Sequence, residues 1–507
     1  MIKKSLKFLL GCTLLTTTVN LKVRANVVPN SLFTNNMVIQ QGVKVPIWGK
    51  ASEGEKITVS FAGQTVSTVA KQGKWQVNLQ PIKANSIPQK MSIQGDNLVE
   101  ISNVLVGEVW ICSGQSNMEM ALGKSWPLPV TNAQEEIAKA NYPSIRQYSI
   151  QRRASDTLVW DANASWMICD TANAKNFTAV GYFFGRDLYN HFHVPIGLIF
   201  SAWGGTPAER WTPRDVLAAD TGLKKIVDAY NQAAKEYPIE RAKYKEEEKA
   251  KLVQWVADTL AASLAHKTIP KKPTPPANPL GGAGGIYNSM IHPLIPYAIK
   301  GVIWYQGEAD RDKSNQYKRL FPAMINAWRT NFGQGQFPFL FAMIAPWMNQ
   351  SPLIREAQLF TLSKVPNTAM ASTIDCGDSA NIHPPHKQPV GERLAIAARA
   401  LAYNEKIEYA GPMYSSDKIV GNKIEITYTH VGKGLESKSG DLIGFAIAGE
   451  DKKFVPATAV IKGNKVEVSN PNISNPKYVR FGWANFPKIN LYNKDGLPAV
   501  PFRTDID

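Results

Sequence analysis

Acidic residues and cysteines are both scarce in this 507-residue sequence. It has 41 Asp and Glu residues against 57 Lys and Arg residues, so its formal net charge is +16 at pH 7. Three of its four cysteines lie beyond residue 25, and three thiols form at most one intramolecular disulfide. Their wide spacing differs from that of zinc motifs, so we expect small buried residues at all three positions, Cys112, Cys169 and Cys376.

The sequence begins with an apolar stretch that is too short and too polar for a membrane span. Residues 1–25, MIKKSLKFLLGCTLLTTTVNLKVRA, carry three early lysines and end in Val-Arg-Ala, which suits cleavage before Asn26. We therefore predict a signal peptide and a secreted protein that is periplasmic or extracellular. The alternative is a lipoprotein anchored at Cys12. Cleavage before Asn26 removes five basic residues and lowers the net charge to +11.

The sequence has no nucleic-acid-binding motif and no stripe of Arg and Lys interleaved with aromatic residues. Its positive charge therefore predicts a basic solvated surface, and no nucleic-acid partner is expected.

The pattern of apolar residues divides the chain into three parts. Residues 26–103 show short β-type runs separated by turns, which is typical of a β-sandwich module. In residues 104–409 buried strand-like runs alternate with helical segments, which predicts an α/β domain with a mainly parallel sheet. A charged helical insertion with a Pro/Gly-rich linker interrupts it at about 213–285. Residues 410–507 return to the β pattern and predict a second β module.

Individual elements follow from the same pattern. The strands expected in the central sheet are 104–112, 194–200, 301–305, 339–344 and 369–374. The helices expected between them are 133–140, 179–190, 316–332, 354–362 and 390–403.

The segment VWICSGQSNM, residues 109–118, begins as a buried strand and ends in small polar residues. A strand that ends in Gly-x-Ser places the serine at the carboxyl edge of a parallel sheet, where α/β proteins bind ligands. Gly114 permits a sharp turn, and Ser116 is a candidate nucleophile. The other interpretation is that Ser116 or Asn117 only caps the following helix.

A serine nucleophile needs a base and oxyanion donors. His383 is the favoured base because it lies in a loop between a predicted strand and a predicted helix, and His386 is its competitor. Gly204-Gly205 and Gln306 follow two other strand ends, where a backbone N–H and a side-chain amide can donate hydrogen bonds.

Four segments of the sequence, SGQSNM, AWGGTPAERW, WYQGEAD and IHPPHKQPVGERLA, resemble the signature blocks of the sialate O-acetylesterase group of SGNH (GDSL-type) hydrolases. The resemblance implies a flavodoxin-like three-layer α/β/α domain with flanking all-β modules, and removal of acetyl groups from sugars without a metal or other cofactor. It implies Ser116 as nucleophile, His383 as base, and Gly205, or else Gly204, with Gln306 and the Ser116 amide as oxyanion donors. Arg210 and Trp211 are weaker candidates for binding the carboxylate of sialic acid.

The acid that supports the histidine is the one departure from the family pattern. Members of the superfamily usually have Asp three residues before the histidine, and near relatives often have it two residues before. Here those positions are Ala380 and Asn381. The remaining candidates for the acid are Glu308, Asp378, Asp375 and a backbone carbonyl.

Three other functions remain open from the sequence. The same chemistry can act on acetylated xylan or another polysaccharide. A catalytically inactive carbohydrate-binding protein is compatible with the β modules and the 13 tryptophans, although such a protein would be expected to have lost Ser116 or His383. A metallohydrolase built on His383, His386 and nearby acids is the third.

Overall fold

The computed structural model describes residues 26–506, so the predicted signal peptide and Cys12 lie outside the described residues. The first part of the chain is all β, and its longest strand continues into the central sheet. It contains β1 Val28–Pro29, β2 Val38–Gln40, β3 Val45–Lys50, β4 Lys56–Phe61, β5 Gln64–Val69, β6 Lys74–Leu79, β7 Asn85–Gln94 and β8 Leu98–Gly114. Strands β1, β3 and β6 form a separate sheet, whereas β2 and β7 pair with β8. The boundary expected at 103–104 falls inside β8, so the N-terminal strands and the central sheet are continuous.

The central sheet is mainly parallel. Its other strands are β9 Asn141–Ser149, β10 Trp166–Asp170, β11 Ile196–Ala202, β12 Gly301–Tyr305, β13 Phe339–Ala342 and β14 Thr368–Ala371. The order is β10-β9-β11-β8-β12-β13-β14, and only β10 runs antiparallel to its neighbour. Strand β8 therefore lies in the middle of the sheet, between β11 and β12.

Helices cover both faces of this sheet. They are α1 Ser116–Glu119, α2 Ala133–Lys139, α3 Ala179–Phe192, α4 Arg214–Ala219, α5 Lys224–Leu264, α6 Ser314–Phe332, α7 Pro352–Lys364 and α8 Gln388–Tyr403. Short 3-10 or π turns occur at Ala174–Asn176, Ala208–Trp211, Tyr287–Ile291, His292–Leu294 and Glu308–Asp310. The five predicted helices are confirmed, with ends that differ by no more than two residues.

Alternate residues of β8 pack against the helices on opposite faces of the central sheet. Trp110 and Cys112 pack in one buried cluster with α3 and α8, and Val109 and Ile111 pack in a second cluster with α6 and α7. This alternation is what a strand buried on both sides requires. Helix α5 is the predicted charged insertion, and most of its residues are exposed.

Strands β9 and β10 were not predicted from the sequence. Strand β9, NYPSIRQYS, carries polar residues in its buried half, so it does not resemble an apolar run. Its buried Arg146 side chain donates to the carbonyl and the side chain of Asn103, and Gln147 Nε2 donates to Ser149 Oγ over 2.8 Å. Tertiary partners therefore make this polar strand stable at a buried position.

The last part of the chain is all β with its own core. Its strands are β15 Met413–Val420, β16 Lys423–Thr429, β17 Leu435–Ser437, β18 Phe445–Ala448, β19 Val455–Pro456, β20 Thr458–Lys462, β21 Lys465–Ser469, β22 Tyr478–Phe481, β23 Leu491–Asn493 and β24 Phe502–Arg503. It contacts the central domain through α7, where Arg503 Nε lies 2.7 Å from Glu356 Oε1. None of the helices between residues 26 and 506 combines the length and apolar character of a membrane span.

Candidate active site

Ser116 lies at the carboxyl end of the central strand. Gly114 has φ +135°, and a Cβ there would lie 2.2 Å from the Tyr305 carbonyl oxygen, so only glycine fits this turn. Helix α1 then begins at Ser116, and its N-cap is Gln115, which makes no side-chain capping bond. The capping interpretation of Ser116 is therefore wrong.

His383 lies in the loop between β14 and α8 and faces the serine. Its Nε2 is 2.9 Å from Ser116 Oγ. Asn381 fixes the loop, because its Oδ1 accepts from the His383 amide over 2.9 Å and its Nδ2 donates to the Trp126 carbonyl over 3.0 Å. The Trp126 ring packs beside the imidazole, with 5.1 Å between centroids. Burial, followed by the nearby Lys387 charge, lowers the pKa of His383, which favours the neutral imidazole that a general base requires.

The competing histidine does not reach the serine. His386 Nδ1 lies 3.3 Å from Thr131 Oγ1, on the outer side of the loop. Within residues 26–506, no group of three or more His, Cys, Asp and Glu side chains is arranged to hold a metal ion. The three described cysteines are free and buried, as predicted, and burial raises the pKa of Cys169 and Cys376 to about 12.

The two glycines suggested as oxyanion donors differ in availability. The Gly204 amide donates to Glu119 Oε2 over 2.7 Å, so it is occupied. Gly205 has φ +74°, is exposed and lines the cavity beside Ser116, and within residues 26–506 its amide has no hydrogen-bond acceptor. Gly205 is therefore the better placed of the two glycines. The Ser116 amide is in the first turn of α1 and has no intrahelical acceptor.

Gln306 is not placed as an oxyanion donor. Its Nε2 donates to Asp310 Oδ2 over 2.6 Å and to the Thr206 carbonyl over 3.3 Å, so both amide hydrogens are engaged. The side chain is completely buried and does not line the cavity beside Ser116. The prediction for Gln306 is wrong because its amide donates to the carboxylate of Asp310, a buried residue four positions later.

None of the candidate acids contacts His383. Glu308 Oε1 accepts from Asn117 Nδ2 over 2.5 Å, and Asp378 Oδ1 accepts from the amides of Ala380 and Asn381. Asp375 pairs with Arg393. Among residues 26–506, His383 Nδ1 has neither a carboxylate nor a backbone carbonyl as hydrogen-bond partner, so the expected Ser-His-acid chain is not present.

A buried polar network lies directly behind the serine and the histidine. The Lys387 ammonium donates to Asn117 Oδ1 over 2.5 Å, and Asn117 Nδ2 donates to Glu308 and, over 3.1 Å, to the carbonyl of Ile382. Burial raises the pKa of Glu308 and lowers the pKa of Lys387 to about 7. Asn117, the residue after the nucleophile, thus bonds directly to Ile382, the residue before the base.

A cavity of about 620 Å³ opens over the serine and the histidine. Two arginines, Arg152 and Arg311, line it together with the catalytic pair. Arg152 pairs with Glu119, whereas the nearest carboxylate to Arg311 is the exposed Asp312 at 3.6 Å. Glu119 and Glu308 also line the cavity, so its arginines are matched by two carboxylates. Arg311, whose acidic partner is exposed, is the better placed of the two arginines to bind a ligand carboxylate.

The two residues suggested for substrate binding do not line this cavity. Trp211 is fully buried, its Nε1 donates to Thr206 Oγ1 over 2.9 Å, and its ring packs against Trp304. Trp211 is therefore a core residue. Arg210 lines a neighbouring cavity, together with Glu209.

The residues that sequence reasoning did not assign to the site are Asn117 as a bridge, Lys387, Glu119, Trp126, Arg152 and Arg311. Lys387 lies in the same sequence block as His383, and this proximity could have indicated that Lys387 belongs to the site. Nothing in the sequence distinguishes a buried lysine from an exposed one, because burial depends on the contacts of the folded chain.

Comparison with known proteins places the chain in a family. The model of a family described as "Carbohydrate esterase, sialic acid-specific acetylesterase" matches residues 106–252 and 281–400. The sialate O-acetylesterase of Rattus norvegicus is 30% identical over 94% of both chains, and that of Homo sapiens is 29% identical over 93% of this chain and 91% of its own. The crystal structure of a carbohydrate acetylesterase from Xanthomonas citri superposes with a TM-score of 0.79 at 33% identity, covering 95% of this chain and 100% of that chain. The chain therefore belongs to the sialic acid-specific acetylesterase family and is a carbohydrate esterase, a carboxylic ester hydrolase.

Proposed function

We propose that this protein removes O-acetyl groups from sugars through an acyl-enzyme formed on Ser116, in a central domain of the SGNH three-layer type. The observation that carries the proposal is the 2.9 Å contact between Ser116 Oγ and His383 Nε2 at the floor of an open cavity. A nucleophile within hydrogen-bond distance of a neutral imidazole is the arrangement that acyl transfer requires.

In the first step, His383 Nε2 takes the proton of Ser116 as Oγ attacks the acetyl carbonyl. The Gly205 and Ser116 amides are the donors proposed for the oxyanion. His383 then protonates the departing sugar oxygen, and the acetyl group remains on Ser116. In the second step, the imidazole removes a proton from water, the water attacks the acyl-enzyme, and acetate leaves as Ser116 regains its proton.

The proposed substrates are O-acetylated sialic acids. Two observations support this choice: the relatives named sialate O-acetylesterase match 94% of the chain, and Arg152 and Arg311 line the catalytic cavity. Sialic acid carries a carboxylate, and arginine binds carboxylates with paired hydrogen bonds.

Release of acetate from a panel of O-acetylated sialic acid, acetylated xylan and 4-nitrophenyl acetate tests the proposal. We expect the parent protein to act on the sialic acid and the nitrophenyl ester, and Ser116→Ala to abolish both activities. Activity on xylan alone would overturn the sialate substrate and leave the mechanism intact. Equal rates of hydrolysis by the parent and Ser116→Ala would exclude Ser116 as the nucleophile. No hydrolysis by the parent would favour a carbohydrate-binding protein.

A further inference from the structure

A second cavity, of about 450 Å³, lies beside the catalytic one. Its walls include Glu209 and Arg210 on one segment and Lys313 and Gln316 on another. The catalytic cavity is lined by earlier residues of the same two segments: Gly204, Gly205, Glu308, Ala309 and Arg311. Arg311 and Lys313 are two residues apart, and consecutive Cα atoms are about 3.8 Å apart, so their Cα atoms are within about 8 Å of each other. The two cavities are therefore neighbours, lined by adjoining parts of the same two segments.

A hydrogen bond joins the two segments between the cavities. The amide of Ala208 donates to Asp310 Oδ2 over 2.9 Å, and both residues are buried. Beyond this contact, Gln316 Nε2 donates to Glu209 Oε2 over 3.2 Å, and Lys313 Nζ lies 3.7 Å from the same oxygen. The second cavity therefore has a carboxylate, an amide and an ammonium group on adjoining walls.

The third wall is the beginning of the helical insertion, and its aromatic residue is Tyr230. The Arg214 guanidinium lies over the ring at 4.3 Å from the centroid, and the Tyr230 hydroxyl donates to Asp156. Gly282 leaves room for the ring, because a Cβ there would lie 2.5 Å from Tyr230 Cδ2. These contacts fix an aromatic side chain at the edge of a polar cavity.

We propose that this second cavity binds the sugar unit next to the acetylated one, so that the preferred substrate is a glycan chain and not a free monosaccharide. This inference rests on the proposed function of the catalytic cavity. An aromatic side chain beside a few convergent polar groups is suited to a sugar, which presents both C–H groups and hydroxyls. The Glu209 carboxylate accepts from hydroxyls, and Lys313 and Gln316 donate to them.

Matched pairs of substrates test the proposal: O-acetylated sialic acid against O-acetylated sialyllactose, and acetylated xylose against acetylated xylotetraose. We expect the parent protein to have the higher kcat/KM on the longer member of the pair that it hydrolyses. Tyr230→Ala should lower kcat/KM on the longer member about tenfold, mainly through KM, and should leave the monosaccharide and 4-nitrophenyl acetate unchanged. Tyr237→Ala is the matched control, because Tyr237 is on the same helix and lines neither cavity.

A second variant fills the cavity without removing an aromatic contact. Ala233 is an exposed residue of the cavity wall, and Ala233→Trp should reduce activity on the longer substrate only. The proposal is overturned if the parent treats both members of each pair alike, or if neither Tyr230→Ala nor Ala233→Trp alters the preference. A parent protein that shows no preference but keeps Ser116-dependent activity separates this failure from failure of the proposed function.

Discussion

Lys387 Nζ donates to Asn117 Oδ1 over 2.5 Å, so a lysine with no exposed surface contacts the residue that follows the nucleophile. A buried ammonium is costly unless it is hydrogen-bonded and near opposite charge. Here Asn117 supplies the hydrogen bond, and Glu308, which bonds to the other end of the same amide, supplies the charge. The network holds together the loops that carry the serine and the histidine.

Lys387→Met should change how stability depends on pH. Burial lowers the pKa of Lys387 to about 7 in the folded protein, against about 10.4 in an unfolded chain. Between these values the unfolded state binds more protons, so the contribution of Lys387 to stability rises as the pH rises from about 7 towards 10. Urea unfolding at pH 7 and pH 9 should show this rise in the parent and a smaller rise in Lys387→Met.

Lys418→Met is the control for that experiment, because Lys418 is exposed on β15. It should show the pH dependence of the parent. Identical pH dependence in the Lys387 and Lys418 variants would contradict a buried, titrating lysine.

The activity of the parent protein should rise with pH and reach half its plateau below about pH 6.5. Burial and the Lys387 charge both lower the pKa of His383, and the base is active only when neutral. Removing the cation in Lys387→Met should therefore move the acid limb of kcat/KM to higher pH. A profile on 4-nitrophenyl acetate measures both effects, and a parent midpoint above pH 7 would argue against His383 in this environment.

Glu308→Gln should lower turnover at least about tenfold, whereas Asp378→Asn should leave it nearly unchanged. Glu308 bonds to Asn117 beside the nucleophile and balances Lys387, and a loss of about 1.4 kcal/mol in the transition state is tenfold in rate. Asp378 only accepts from two backbone amides in its own turn, and Asn is able to accept in the same way. Single-turnover kinetics compares the two variants; unchanged turnover in both would show that neither carboxylate supports catalysis.

Gln306→Leu should affect stability more than oxyanion binding. The substitution removes a buried donor from Asp310, which should cost about 1–3 kcal/mol in the free energy of unfolding. Loss of an oxyanion donor would instead lower kcat by about 10²–10³. We expect a lower midpoint of urea unfolding and a fall in kcat of less than about 10². A stable variant with a thousandfold lower kcat would restore Gln306 to the oxyanion site.

Much of the central domain was predictable because the apolar patterns of its strands and helices depend on residues close together in the chain. Strand Gly301–Tyr305 is an apolar run, and the helices that cover the sheet repeat their apolar residues at helical spacing. Strand β9 escaped prediction because its polar side chains acquire hydrogen-bond partners from distant segments only when the chain has folded.

The sequence by itself determined the strand that ends at Gly114, the serine after it and the loop histidine, because each depends on residues close together in the chain. The tertiary structure alone decided how the other polar groups are used. Gln306 bonds to Asp310, Glu308 bonds to Asn117 and not to the imidazole, and Lys387 is buried behind the nucleophile. The reason is physical: a buried donor or acceptor takes whichever partner the packed chain brings within hydrogen-bond distance, and that partner can be more than 250 residues away in the sequence.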